Sequence, residues 1–232
     1  RIRPMLRSHT APLRPLPSDI SGESLSNKAY HLIEEMIVTL VLPPGSNVTE
    51  KDLSEKLGIG RTPIREALQR LATEHLVIAV PRHGILVTEI NIPEHLALLE
   101  TRRVLDRLIA SRAASRATPE QRDSLRELAS KIIEAATIPE ASEFMRTDSE
   151  ADAILDHACR NVFAVQATAP LHIHCRRFWF MYRKNGDLNQ SAALHSALFN
   201  GVAGGDESIA ATASDTLLDY LVQFTRNTLD DY

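Results

Sequence analysis

Arg61, Arg65 and Gln69 stand at i, i+4 and i+8, on one face of a helix. They share one chemistry, multidentate hydrogen bonding to phosphate oxygens and base edges. Ile64, Leu68 and Leu71 recur at helical spacing on the opposite side and predict burial against a core. Gly58-Ile59-Gly60 places a tight turn just before this segment. A helix that is apolar on one side and presents Arg and Gln on the other has the form of a recognition helix. No comparable constellation points to catalysis: no Ser/His/Asp or Cys/His spacing stands out. Cys159 and Cys175 are too few for a disulfide framework or a Cys-rich zinc site. His172 and His174 are two apart in a helical stretch, so they face different directions and make a poor ligand pair. The run Phe178-Trp179-Phe180-Met181-Tyr182 after Arg176-Arg177 predicts core packing or a dimer interface ahead of the alternative, the lining of an effector pocket.

The elements that must position these residues follow from the pattern around them. Residues 1–24 hold Pro4, Pro12, Pro15 and Pro17 with little periodic apolar content, and read as a flexible N-terminal arm. From Leu25, Ala29, Ile33, Met36, Ile37 and Leu40 form a helical stripe that ends at Leu42-Pro43-Pro44-Gly45. Thr49 is an N-cap ahead of Glu50-Lys51-Asp52, Leu53 and Leu57 face inward, and Gly58 closes that short helix. The candidate recognition helix covers about residues 61–74. Val77–Val80 and Ile85–Val87, joined through Pro81-Arg82-His83-Gly84, make a hairpin. Helix, helix, recognition helix and hairpin is the order of a winged helix-turn-helix over residues 25–90. Beyond Ile90 strand signals almost vanish. Helices are expected from Asn91 to about Arg116, from the Thr118 cap onward, and near 139–160, 162–184, 188–204 and 206–229. The fold class is therefore mainly α: a winged helix-turn-helix with a small hairpin, followed by an all-helical bundle of six to seven helices at 91–232.

Charge narrows the function classes. The formal net charge is −4, divided as +2, −1 and −5 over residues 1–24, 25–90 and 91–232. Indiscriminate coating of nucleic acid is excluded; DNA contact must come from a few placed basic residues. No run approaches the roughly 18 apolar residues of a membrane span. The first residues lack the apolar core of a secretory signal, so a cytoplasmic location is expected.

Pro44-Gly45, Glu50-Lys51-Asp52-Leu53-Ser54, Gly60-Arg61-Thr62-Pro63-Ile64-Arg65-Glu66-Ala67-Leu68, Arg70-Leu71-Ala72, Glu74-His75-Leu76-Val77 and Pro81-Arg82-His83-Gly84 together resemble the winged helix of the GntR family of bacterial transcription regulators. Gly60 replaces the Ser or Thr usual there, and His75 replaces a frequent Gly. The second half is similar to the FCD effector domain of the FadR subfamily through Glu100-Thr101-Arg102, Asp106, Ala110, Ala113-Ala114, Asn161, His195-Ser196-Ala197-Leu198 and Gly205-Asp206.

The resemblance implies a homodimeric, ligand-responsive regulator, a repressor in the commoner case, that binds double-stranded DNA at a palindromic operator. Arg61 and Arg65 would contact guanines and phosphates, Thr62 and Lys51 the backbone, and His83 with Gly84 the minor groove at the wing tip. FCD domains commonly hold a divalent metal with one Asp and three His. Here Asp148 takes the Asp position, Asp152 the first His position and His195 the second, while Leu217 stands at the third. One reading is a remodelled site of Asp148, Asp152 and His195, aided by Asp215 or Asp219, suited to Mg²⁺ or Mn²⁺. A second dispenses with the metal and holds a small carboxylate effector on Arg102, Arg176 or Arg177, beside His195. A third leaves these as polar residues of a helical domain. The functional alternatives are a metal-dependent enzyme built on the helical domain and a constitutive architectural DNA binder.

Overall fold

The computed structural model describes residues 24–81, 84–138, 141–184 and 187–230. The expected arm at 1–24 thus lies outside the described residues except for Ser24. That residue's hydroxyl accepts from the Asn27 amide at 3.2 Å and caps α1 (Leu25–Val38).

The remaining elements of the head start and stop where local chemistry directs. Thr49 and Asp52 form a reciprocal capping box at the start of α2 (Glu50–Leu57), which ends at Gly58 in the left-handed conformation, φ +66°. α3 (Arg61–Thr73) follows from Gly60, which offers no side-chain cap. Ile64, Ala67, Leu68 and Leu71 of α3 are buried against Ala29, Ile33, Met36 and Ile37 of α1. β2 (Val77–Val80) and β3 (Gly84–Val87) pair antiparallel with Val77 opposite Val87 and Val80 opposite Gly84. A strand that the sequence pattern does not announce, β1 (Asn47–Val48), pairs with the other edge of β3, giving the order β1-β3-β2.

Six helices form the second part. α4 (Ile92–Arg116) starts at the Asn91 cap, and α5 (Pro119–Ala135) starts at a Thr118/Gln121 capping box with Pro at its first position. α6 (Ser142–Cys159), α7 (Val162–Tyr182), α8 (Asp187–Gly204) and α9 (Glu207–Asp230) complete the bundle. Their core is built from Leu99, Ile109, Leu125, Ile132, Phe144, Leu155, Phe178, Trp179, Phe199, Leu217 and Leu218. The head has its own core, with one guest: Ile173 of α7 is buried among the head's residues, not the bundle's. The boundary at residue 90 is therefore continuous in sequence but not in packing.

Candidate functional site

The recognition face is placed as its spacing requires. Arg61, Thr62, Arg65 and Gln69 are all exposed on α3, with the apolar residues turned inward. Arg65 is not idle there: its Nε donates to Glu50 Oε1 at 2.8 Å and its Nη2 to Glu50 Oε2 at 2.7 Å. This bidentate clamp ties α3 to the first residue of α2 and keeps the Glu50 carboxyl below its usual range. Lys51, exposed, lies 3.7 Å from Glu55 one turn on. His83 lies outside the described residues.

Gly84 gives an internal reason for its identity. Its φ is +91°, and a Cβ there would stand 2.7 Å from the Val48 carbonyl oxygen. Glycine is thus demanded by the approach of β1, before any approach to DNA is considered.

A small cavity of about 70 Å³ opens between α4, α6, α7, α8 and α9. Its polar end is a chain of ion pairs. Arg102 pairs with Asp106 at 2.7 Å, one turn away on α4. His172 Nε2 lies 2.9 Å from Asp106 Oδ1 and its Nδ1 lies 2.8 Å from Asp152 Oδ2. Arg176 donates from Nε to Asp148 Oδ2 at 2.9 Å and from Nη2 to Asp152 Oδ2 at 2.5 Å. His195 Nε2 closes the chain 3.3 Å from Asp148 Oδ1. Its apolar end is Leu217, Leu218, Leu221, Leu198 and Trp179.

The electrostatics follow from burial with partners. Burial alone would strip the proton from His172, yet the Asp152 and Asp106 carboxylates hold it, and its pKa is raised to about 9. Burial opposes the charge of Arg176 too, but Asp148 and Asp152 more than offset it and raise its pKa. Asp156, half-buried near Asp152, is pushed up to about 6 by burial and by that neighbouring carboxylate. Three cations, Arg102, His172 and Arg176, thus face three carboxylates, Asp106, Asp148 and Asp152.

The sequence-derived candidates sort accordingly. Arg102, Asp148, Asp152, Arg176 and His195 do converge. Arg177 does not: it points the other way from α7 and donates to Thr88 O and, at 3.1 Å, Thr88 Oγ1. Asp215 and Asp219 sit outside the cavity on α9, paired with Arg107 and Arg103. Phe178 and Trp179 are core residues, with Phe178 stacked on His95 at 3.9 Å between ring centroids. His172, set aside as half of a poor pair, is central. The divergence of His172 and His174 is real, and it sends one ring into the cavity and the other to the Glu74 carbonyl, 2.8 Å away.

A divalent metal does not fit the residues present. The Arg176 guanidinium occupies the space between Asp148 and Asp152, and Leu217 lines the cavity where a further ligand would be needed. Among the described residues, no group of three or more His, Cys, Asp or Glu is arranged to hold a metal.

A winged helix joined to a helical bundle with a charged cavity defines a DNA-reading head carrying a small-molecule sensor domain. The comparisons agree. The model of the gntR family of bacterial regulatory proteins matches residues 25–87, and the FCD domain model matches residues 97–220. The chain belongs to the GntR family of transcription regulators, with an FCD effector-binding domain; it is not an enzyme. It is 33% identical over 114 residues to an uncharacterized HTH-type transcriptional regulator in the TAR-I ttuE-ttuC′ intergenic region of Agrobacterium vitis, covering 49% of this chain and 67% of that one. It is 28% identical over 99 residues, 43% of each chain, to the HTH-type transcriptional repressor RspR of Escherichia coli K12. With 18% identity, the E. coli McbR/YncC structure matches 89% of this chain and 99% of its own, with a TM-score of 0.78, and shares the fold. No described helix is long and apolar enough to cross a membrane.

Proposed function

We propose that this chain is a cytoplasmic repressor that binds a palindromic operator as a homodimer and is released or retained according to a small molecule in the helical-domain cavity. One observation carries the reading: α7 serves the cavity and the head at once. His172, Cys175, Arg176 and Trp179 line the cavity, while Ile173, His174 and Arg177 touch the head. At 100° per residue these sets lie on opposite sides of one helix. A ligand that turns or shifts α7 therefore acts directly on the packing of α1 and on the Glu74 and Thr88 backbone carbonyls.

The head has room to respond. Beside these contacts lies a cleft of about 1090 Å³ lined by both domains, including His75, Ile78, Glu94, Pro170 and Leu171. Two-fold symmetry of the protein would impose the same symmetry on the operator. Of the two effector classes that the family resemblance implies, a metal is disfavoured by the Arg176 contacts, and a free carboxylate would compete with the aspartates that already hold both guanidiniums.

The test is fluorescence anisotropy with DNA from upstream of the protein's own gene, using wild type and Arg65→Ala. Specific binding by wild type and its loss in the variant is the expected result. Equal binding by the two proteins would reject the operator reading and favour an architectural binder.

A further inference from the structure

We propose that Arg176 is a built-in replacement for a metal ion, and that the ligand of this cavity is consequently a small molecule without net negative charge. The inference deepens the sensor reading above and rests on it for the ligand, but not for the cation.

Asp148 and Asp152 sit one turn apart on α6 and present carboxylates to a common point. Two such groups cannot both stay ionised in a buried site without a cation between them. Arg176 on α7, its side chain 16% exposed, supplies it through Nε and Nη2, one bond to each carboxylate at 2.9 and 2.5 Å. Asp152 is shared a second time with His172, and His195 rests against the far oxygen of Asp148. One oxygen of each carboxylate that a metal would use, Oδ2 of Asp148 and Oδ2 of Asp152, is thus taken by an N–H of the chain itself. A guanidinium is planar and permanently charged, so the site needs no ion to remain folded.

This changes what the cavity selects. Arg102 is committed to Asp106, His172 to Asp106 and Asp152, and Arg176 to Asp148 and Asp152. Asp156 adds a fourth acid to the lining. An anionic ligand would enter a site with no uncompensated cation and would have to break a buried ion pair. A neutral molecule meets an apolar end of Leu217, Leu218 and Leu221 and a buried hydroxyl. Ser214 Oγ on α9 is fully buried, lines the same cavity and has no hydrogen-bond partner among the described residues. A volume of about 70 Å³ admits a body of roughly five to seven non-hydrogen atoms.

The full-length protein is purified without chelator, incubated with Mn²⁺, Ni²⁺ or Zn²⁺, desalted and analysed for metal. Fewer than about 0.1 ions per chain, with no change in melting temperature in EDTA, is expected. Near one ion per chain, or a clear fall in EDTA, overturns the proposal. Arg176→Ala combined with Leu217→His should bind one ion per chain and gain several degrees in Ni²⁺; should it fail to fold, the wild-type metal content decides. Melting is then followed in isobutyramide and isobutyrate, which share a shape and differ in charge. Stabilisation by the amide alone is expected. An equal or larger effect of the carboxylate, or none from the amide, removes the ligand half. None of these readouts involves DNA, so a failure here is separable from a failure of the operator reading.

Discussion

At the scale of single residues the decisive groups are those with two demands on them. Arg65 is available to DNA only through the donors that Glu50 leaves or surrenders. An exposed pair of this kind adds little to stability. Arg65→Ala should therefore leave the melting temperature nearly unchanged while weakening operator binding roughly tenfold to a hundredfold in an anisotropy titration. Glu50→Ala removes a negative charge from the DNA-facing side. It should raise affinity for non-specific DNA and reduce the ratio of specific to non-specific binding, measured with operator and scrambled duplexes. His95 has a different double demand. Burial, with Arg102 and His174 nearby, depresses its pKa to about 3, so it stays neutral against Phe178. Its folded pKa lies below its unfolded value, so the unfolded chain binds the extra proton. The stability it contributes is present above about pH 6.5 and is lost as pH falls toward 3. Asp156, raised to about 6, acts in the opposite sense below pH 6. The informative quantity is thus a difference: the melting temperature of His95→Phe should fall less than that of wild type between pH 7 and pH 5.

At the scale of elements, sequence was a good guide wherever the cause is local. Thr49, Asn91 and Thr118 each cap the helix they precede, and Gly58 ends α2 in the left-handed region, because caps act within three or four residues. The Arg102–Asp106 pair is also local, an i, i+4 pair on one helix, though in the sequence these two residues stand out only through the family resemblance. β1 was not, since two residues carry no periodicity and their partner lies some forty positions away on β3. His172 was hidden for the same reason: its partners are 66 and 20 residues distant, and only packing of α4, α6 and α7 brings them to one ring. β1 also supplies a prediction. Gly84→Ala would place a Cβ against the Val48 carbonyl in a backbone conformation that L residues avoid. It should destabilise the wing by at least about 1 kcal/mol, seen as a lower melting temperature, with the helical domain's circular dichroism unaltered at low temperature.

At the scale of the whole molecule, the arrangement is a reader and a sensor that share one helix. α7 carries Pro170, which cannot donate the usual helical hydrogen bond, two residues before the stretch that faces both ways. Ile173 is 5% exposed and belongs to the head's core. Ile173→Ala should lower the melting temperature by an amount corresponding to roughly 2–4 kcal/mol, and it should loosen the head more than the bundle, as followed by amide exchange of α1 and α3. A homodimer of the 25.8 kDa chain is expected by sedimentation, with twice that mass. The central claim is that the cavity face of α7 governs the DNA-reading head. It is tested most directly by the operator affinity of Arg176→Leu, a substitution on the side of α7 that lines the cavity. A change in dissociation constant of at least threefold, with the fold intact by circular dichroism, is the predicted result. An affinity equal to that of wild type, in a protein whose melting temperature shows that the cavity has been altered, would contradict it.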